Sequence, residues 1–124
     1  MARDRRLGAR VPVELLVHEY VGDRLHRAQV VNLSETGLYA NKVVQPIQRF
    51  SRVVALEFSL PGTTDTIWAK GEVRYDTIDE YFHGQGIRFT GMAKTSARIL
   101  RDYCEAQRSE RSFTRPRSVG RSTP

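Results

Sequence analysis

Hydrophobic and polar residues alternate along most of the chain with a period of two. Successive side chains of a β-strand point to opposite faces, so this alternation is typical of half-buried strands. The clearest run extends from Ile67 to Tyr75, where small or apolar residues alternate with Trp68 and with charged side chains. The pattern predicts six short strands, over residues 11–18, 25–33, 37–40, 53–60, 67–76 and 81–89.

Turn-forming residues separate these runs. Gly22-Asp23, Pro61-Gly62 and Asp79-Glu80 each fall between two predicted strands, and such pairs are strong turn signals. Gly84 and Gly86 within the last run predict a bulge or a close approach of another group to the backbone. Six short strands with turns between them indicate a small antiparallel barrel or sandwich.

The spacing of apolar residues changes from two to three or four near residue 97. Apolar side chains then fall on one stripe and charged side chains on the other, which predicts an amphipathic helix that ends near residue 106. Residues 107–124 are rich in Arg, Ser, Thr and Pro without periodicity, so we expect a disordered basic tail there. Residues 1–10 are also aperiodic and predict a mobile basic arm. The chain thus divides into an arm (1–10), one folded domain (11–106) and a tail (107–124).

The net charge of +6 is concentrated at the two ends of the chain. Residues 1–10 carry four arginines and one aspartate, and residues 107–124 carry five arginines and one glutamate. Residues 11–106 carry eleven basic and twelve acidic side chains. A duplex-binding domain normally shows a cationic stripe on its folded surface. The nearly neutral body therefore argues against nucleic acid as the main partner.

The sequence gives no indication of catalysis, of a metal site or of a membrane span. One cysteine cannot form an internal disulfide, and Cys104 on the helix stripe fits a buried small hydrophobe. The three histidines lack metal-ligand spacing, and no nucleophile or phosphate-loop motif is present. No apolar run is long enough for a membrane span and no signal peptide is visible. We therefore expect a cytoplasmic protein that is not an enzyme and carries no cofactor.

Three arginines near the start of the chain form the first candidate binding segment. Arg6 and Arg10 are four residues apart, and Arg5 directly precedes them. A guanidinium group is a rigid fork of donors that matches phosphate oxygens and the O6/N7 edge of guanine two bonds at a time. This segment therefore suits an anionic ligand, although a solvated basic terminus is the simpler interpretation of the arginines alone.

The second candidate segment runs from Asn32 to Gly37. In an extended chain Asn32 and Ser34 point to the same face and offer an amide and a hydroxyl. Gly37 allows a backbone conformation with positive φ or a close approach to a ligand. An Asx or Ser turn at the end of a strand is an equally compatible interpretation. Neutral polar groups beside cations would suit an anionic ligand that carries a purine.

Taken together, the two segments resemble the signature of PilZ domains, which are bacterial receptors for cyclic di-GMP. That signature is RxxxR followed by [D/N]xSxxG, and it stands here as Arg6–Arg10 and Asn32–Ser34–Gly37. The resemblance includes the runs ARVPVEL, GEVRY and GQGIRF and covers roughly residues 5 to 106. It implies a mainly β fold, a six-stranded antiparallel β-barrel with a C-terminal helix, in agreement with the strand pattern.

The resemblance also assigns roles to individual residues. It implies that Arg6 and Arg10 contact the phosphates and guanine edges of cyclic di-GMP, and that Asn32 and Ser34 contact a guanine from the barrel surface. Gly37 is implied as a conformational requirement rather than a contact. Asn in place of the Asp of many members lacks the charge that strengthens a hydrogen bond from guanine.

Three further positions are less directly implied. A basic residue at the position of Arg5 tends to accompany an intercalated cyclic di-GMP dimer in PilZ domains. Gly86 stands where the family commonly has a glycine beside the ligand, and a bulge is the alternative explanation. Trp68 alternates outward, and we expect it to pack against the fold rather than stack on a ligand.

The function that the resemblance implies is a cyclic di-GMP receptor whose arm folds over the ligand. The signal would pass to a protein partner that controls motility, pili or exopolysaccharide production, and we expect a monomer or weak dimer. One alternative is a PilZ-type adaptor that binds only protein. A second is a small nucleic-acid-binding barrel, whose affinity would fall steeply with salt and survive loss of Asn32 and Ser34.

Overall fold

The computed structural model describes residues 9–43 and 52–121, with side chains as far as residue 110. These residues form six strands followed by one helix. The elements are β1 (Val11–Val21), β2 (Arg24–Leu33), β3 (Gly37–Val43), β4 (Val53–Ser59), β5 (Thr66–Ile78), β6 (Phe82–Met92) and α1 (Lys94–Arg121).

The six strands close into an antiparallel barrel in the order β1-β2-β3-β6-β5-β4. Four of the six pairings join consecutive strands: β1 with β2, β2 with β3, β4 with β5 and β5 with β6. The other two pairings, β3 with β6 and β4 with β1, close the barrel. Along each strand, every second side chain points into the barrel and the side chains between them point outward. The predicted six-stranded barrel is confirmed, and the observed strands begin and end within a few residues of the predicted bounds.

Aliphatic side chains and one aromatic pair fill much of the barrel interior. Leu33, Leu38, Leu56 and Ile67 are completely buried, and the rings of Phe58 and Phe89 stack at 6.3 Å. Burial of each such aliphatic side chain contributes about 1.5–3 kcal/mol to folding. The core thus lies where the period-two pattern places it.

The strands bend where the pairing register shifts. Irregularities fall in β1 after Pro12, between Val30 and Asn32 in β2, and at two points where β5 faces β6. Bulges of this kind increase strand twist and help a small sheet to close. Gly22 and Gly62 adopt positive φ in two of the three predicted turns.

Helix α1 covers one end of the barrel and is longer than the pattern predicted. Leu100 and Cys104 are buried against the core, as the apolar stripe indicated. We expected a disordered tail from Gln107, but the helix continues to Arg121. The expectation is wrong for the turn around Arg108, because this side chain is anchored to the barrel (below) and no proline or glycine interrupts residues 107–110. Within the described part of the chain, no helix has the length and hydropathy needed to cross a membrane.

Trp68 lies on the outer surface with its side chain 53% exposed. Its ring stacks on Tyr20 at a centroid distance of 6.1 Å, so it packs against one neighbour but is not covered. The expectation of packing therefore holds for this one ring contact, and about half of the residue stays exposed.

Candidate ligand-binding site

The pairing of β1 with β2 brings the two candidate segments together. Arg10 lies immediately before β1, and the register aligns Pro12 with Asn32. The Nη1 atom of Arg10 donates a hydrogen bond to Oδ1 of Asn32 at 3.0 Å. Two residues that are twenty-two positions apart in the sequence are therefore neighbours on the surface. Arg5 and Arg6 lie outside the described residues.

Ser34 forms the turn that follows β2 rather than part of the exposed surface. Its backbone N–H donates to the carbonyl of Gly37 at 2.8 Å, and its hydroxyl accepts from the N–H of Thr36 at 3.1 Å. The side chain is completely buried. Asn32 is partly exposed, so the two side chains are not presented together in the way that an extended segment would present them. This geometry is that of a Ser turn, and it fixes where Asn32 and Gly37 lie.

Gly37 is required by a close approach and not by an unusual backbone angle. Its φ is not positive, so the expected left-handed conformation is not used. A Cβ atom at this position would lie 2.2 Å from the carbonyl oxygen of Ile87 on β6. Only glycine therefore permits β3 to begin its pairing with β6 at this point.

Gly86 faces outward between two tyrosines. It pairs with Tyr39 on β3 and with Tyr75 on β5, next to a register shift in β5. The two rings stack at 5.9 Å with 24° between their planes, and a Cβ atom on Gly86 would lie 2.2 Å from the Tyr75 ring. Both expectations for this glycine, a bulge and a close approach, are thus present, and the approaching group is an aromatic ring.

A continuous row of outward-facing residues crosses four strands at this level of the barrel. It consists of Asn32, Tyr39, Gly86 and Tyr75, which are paired in that order, and we call it the outer row. Arg10 bonds to one end of it. The row offers an amide, a flat aromatic surface and a cation within one strip. Tyr39 and Tyr75 are not among the site residues predicted from the sequence. The spacing of Tyr39 is a usable signal, because a residue two positions after Gly37 in a strand points to the same face.

The next level of the barrel adds cationic side chains. Arg88 pairs with Gly37 and Glu72, and its guanidinium lies 3.9 Å from the Glu72 carboxylate, which also contacts Arg74 at 3.4 Å. Both arginines are more than half exposed. Exposed pairs of this kind contribute little to stability, so Arg88 remains accessible to an anionic ligand beside the outer row.

A third element reaches the site from the C-terminal helix. Arg108 of α1 donates to the carbonyl oxygen of Ala9 at 2.7 Å and to Oε1 of Glu35 at 3.1 Å, and its second terminal nitrogen bonds to Oε2 of the same carboxylate. The hydrogen bond with Glu35 raises the pKa of Arg108 above its ordinary value. This contact cannot be predicted from local sequence patterns, because Arg108 lies in a stretch without apolar periodicity.

The side chains at the site suit the binding of a nucleotide. Burial raises the pKa of the Cys104 thiol to about 12, so this thiol stays protonated at neutral pH. No group of three or more metal-ligating side chains occurs among residues 9–43 and 52–110. Guanidinium groups, an amide and a tyrosine surface match the phosphates, the hydrogen-bonding edges and the flat faces of a nucleotide.

The comparisons with known families agree with this arrangement. The PilZ domain family model matches residues 4–106, which is most of the chain. No curated protein matches the sequence.

Solved structures share the fold at low sequence identity. The inhibitor of motility MotI/DgrA of Bacillus subtilis superposes with a TM-score of 0.71 at 20% identity, over 86% of this chain and 52% of its own. The PilZ domain of YcgR from Escherichia coli, solved with c-di-GMP, gives a TM-score of 0.65 at 16% identity, over 89% of this chain and 97% of its own. PlzA of Borreliella burgdorferi, also in complex with c-di-GMP, gives 0.61 at 5% identity, over 86% of this chain and 54% of its own. The chain thus spans about half the length of MotI and PlzA.

Proposed function

Since the chain belongs to the PilZ domain family, we propose that it is a cytoplasmic receptor for cyclic di-GMP that passes the signal to a protein partner and catalyses no reaction. PilZ domains serve as receptors and adaptors, and those of YcgR and PlzA have been solved with c-di-GMP. The partner would control motility, pili or exopolysaccharide production, and the name of MotI makes motility the first system to test.

The observation that carries the proposal is the hydrogen bond between Arg10 and Asn32. It joins one residue of RxxxR to one residue of [D/N]xSxxG. An amide oxygen has two lone pairs, so Asn32 can accept from a guanine N–H while it still orients Arg10. This contact supports the proposal that the two motifs contribute to one site.

The outer row supports a specific arrangement of the nucleotide. Arg6 and Arg10 would bind the phosphates and a guanine edge in bidentate fashion. Tyr39 and Tyr75 would supply an aromatic surface, and base–aromatic stacking contributes about 1–3 kcal/mol per base. Ser34 would act by shaping the turn and Gly37 by permitting the strand contact. The arm would order over the ligand, a change that the ligand itself can drive.

A protein-only adaptor is the second candidate, and the outer surface over β1, β4 and β5 favours it. Leu16 on β1 and Trp68 on β5 are each more than half exposed there, and exposed aromatic and aliphatic side chains are typical of protein interfaces. This face is also compatible with the receptor, which needs a partner surface.

Isothermal titration of cyclic di-GMP tests the proposal. The proteins to compare are the wild type, the double variant Arg6→Ala/Arg10→Ala and the control Arg24→Ala/Arg27→Ala, which removes two exposed arginines from the β1–β2 hairpin at the other end of the barrel. We expect binding that is lost in the first variant and kept in the control. A stoichiometry of two nucleotides per chain would support the dimer-binding role of Arg5.

Absence of binding to the wild type would contradict the receptor and leave the adaptor. Equal weakening in both double variants would indicate a general electrostatic effect instead. In that case affinity would also fall steeply with salt, as the nucleic-acid-binding alternative predicts.

A further inference from the structure

Arg108 of α1 forms hydrogen bonds to both candidate segments. Its guanidinium bonds to the carbonyl of Ala9, directly before Arg10, and to the carboxylate of Glu35, directly after Ser34. The first bond reaches the base of the arm and the second reaches the turn between β2 and β3. The helix therefore contacts both of the segments that the ligand would bind.

The geometry of the contact distinguishes it from an ordinary surface ion pair. The Arg108 and Glu35 side chains are only 14% and 21% exposed, and both carboxylate oxygens are engaged. Paired bonds from a guanidinium to a carboxylate are stronger and more directional than single ones. Arg101 on the same helix differs, because its contact with Asp102 is exposed and remains within the helix.

We propose that Arg108 is a positioning residue of the nucleotide site, and that it couples nucleotide binding to the docking of α1 on the barrel. The proposal rests on the function proposed above. Arg108 does not contact the outer row itself. It holds the Ala9 carbonyl and the Glu35 turn at a fixed separation, so that Arg10 and Asn32 start from a preorganised geometry.

Such coupling is reciprocal by thermodynamic necessity. If the docked Arg108 favours nucleotide binding, then bound nucleotide must favour the docked helix by the same factor. The helix would thereby report the occupancy of the site, and its exposed face would be available to a partner as the output of the receptor.

The single cysteine of the chain provides a direct measure of helix docking. Cys104 lies one turn before Arg108 and is completely buried, so it reacts with iodoacetamide only when the helix moves away. We expect saturating cyclic di-GMP to slow alkylation of Cys104 in the wild type by up to roughly tenfold, the factor expected for one charge-assisted contact.

The test compares Arg108→Ala and Arg108→Lys with the control Arg101→Ala, each as the full chain. We expect Arg108→Ala to bind cyclic di-GMP roughly tenfold more weakly and to lose the nucleotide-dependent protection of Cys104. Arg108→Lys keeps the charge without the fork, so an intermediate loss is expected. Glu35→Gln, which alters the contact from the barrel side, should behave like Arg108→Lys, and Arg101→Ala like the wild type.

A purely structural role would give a different result. Arg108→Ala would then raise the alkylation rate equally with and without nucleotide while the affinity stayed unchanged, and this outcome overturns the proposal. If the wild type itself binds no cyclic di-GMP, the receptor function fails and this inference fails with it. Binding by the wild type with equal affinity in all variants overturns the inference alone.

Discussion

The two ends of the barrel hold polar groups in opposite ways. At the end where β1 begins, Arg10 and Asn32 form an exposed hydrogen bond beside the outer row. At the other end, near the β1–β2 turn, Lys42 and Glu19 lie inside the barrel with their side chains 4% and 1% exposed. One set of charges is presented to solvent and the other is withdrawn from it.

The interior group is held by short contacts between strands. Lys42 Nζ lies 2.9 Å from Glu19 Oε1 and 2.9 Å from His26 Nδ1. His83 Nε2 lies 2.6 Å from Asp76 Oδ1 on the neighbouring strand. We call these five residues the inner cluster.

The difference shows that burial, more than residue type, decides what a charge does. Withdrawing an ion pair from water is costly, so the inner cluster persists only because each member has a partner. Such a cluster fixes strand register, and the buried Lys42 and Glu19 are engaged with each other. The outer row remains solvated and is free to exchange water for a nucleotide. We therefore expect substitutions in the inner cluster to lower stability and substitutions at the outer row to lower nucleotide affinity.

Glu19→Ala should produce the largest effect, a loss of about 3–5 kcal/mol in the free energy of unfolding, because it leaves Lys42 buried without its carboxylate. Urea denaturation measures the loss, and nucleotide affinity should be unchanged under conditions where the variant is folded. The matched double variant Glu19→Leu/Lys42→Met should recover most of the stability. A loss below about 1 kcal/mol for the single variant would mean that the pair is not buried as described.

Gly37→Ala should cost about 3 kcal/mol in stability, since its Cβ would meet the backbone oxygen of Ile87, which cannot move aside. Gly86→Ala should cost only about 1 kcal/mol, because the clashing Tyr75 ring is half exposed and can rotate away at the expense of its stack on Tyr39. Thermal melting of the two variants provides the comparison. Equal costs would contradict the close approach of β3 to β6.

Asn32→Ala should leave stability within about 0.5 kcal/mol of the wild type and weaken nucleotide binding roughly tenfold. The substitution removes the acceptor that orients Arg10 without creating a buried cavity. Calorimetric titration and melting of the same preparation separate the two effects. A destabilised variant with normal affinity would indicate that Asn32 supports the fold and does not bind the nucleotide.

The smallest effect concerns pH. Burial, followed by the charge of Lys42, lowers the pKa of His26 below its ordinary value of 6.5. The unfolded chain therefore binds this proton first, and the free energy of unfolding should fall as pH drops through 6.5 and level off below the folded pKa. The difference between wild type and His26→Gln, followed by urea denaturation from pH 8 to pH 5, isolates this contribution. A difference that does not change with pH would contradict the lowered pKa of His26.

The sequence predicts the barrel because alternation over six runs is a local property of the chain. Arg10 and Asn32 could be paired in advance only through the resemblance of their motifs. The position of Tyr75 beside Gly86 could not be predicted, because it depends on a register shift in β5 that no local pattern encodes. Lys42 follows the inward alternation of Leu38 and Ala40, but a lysine at such a position is ordinarily read as exposed.

The contact of Arg108 was hidden for a different reason. Helix propensity and composition give only a weak preference in a stretch rich in Arg and Ser, and the docking of this turn depends on Glu35, seventy-three residues earlier. The predicted boundary between the folded domain and the tail, at residues 106 and 107, therefore marks the loss of apolar periodicity and not the end of the helix. Long-range polar contacts are the part of this site that periodicity does not reveal.

The most direct test of the account is a titration of the ¹⁵N-labelled protein with cyclic di-GMP, in which the chemical shifts of the backbone amides and of the Trp68 indole N–H are measured. We expect the largest changes at residues 9–12, at residues 32–39 and around Gly86, with smaller changes along residues 104–108 and none at Lys42 or the Trp68 indole. Changes centred on Trp68, or no changes at millimolar nucleotide, would contradict a nucleotide site on the outer row.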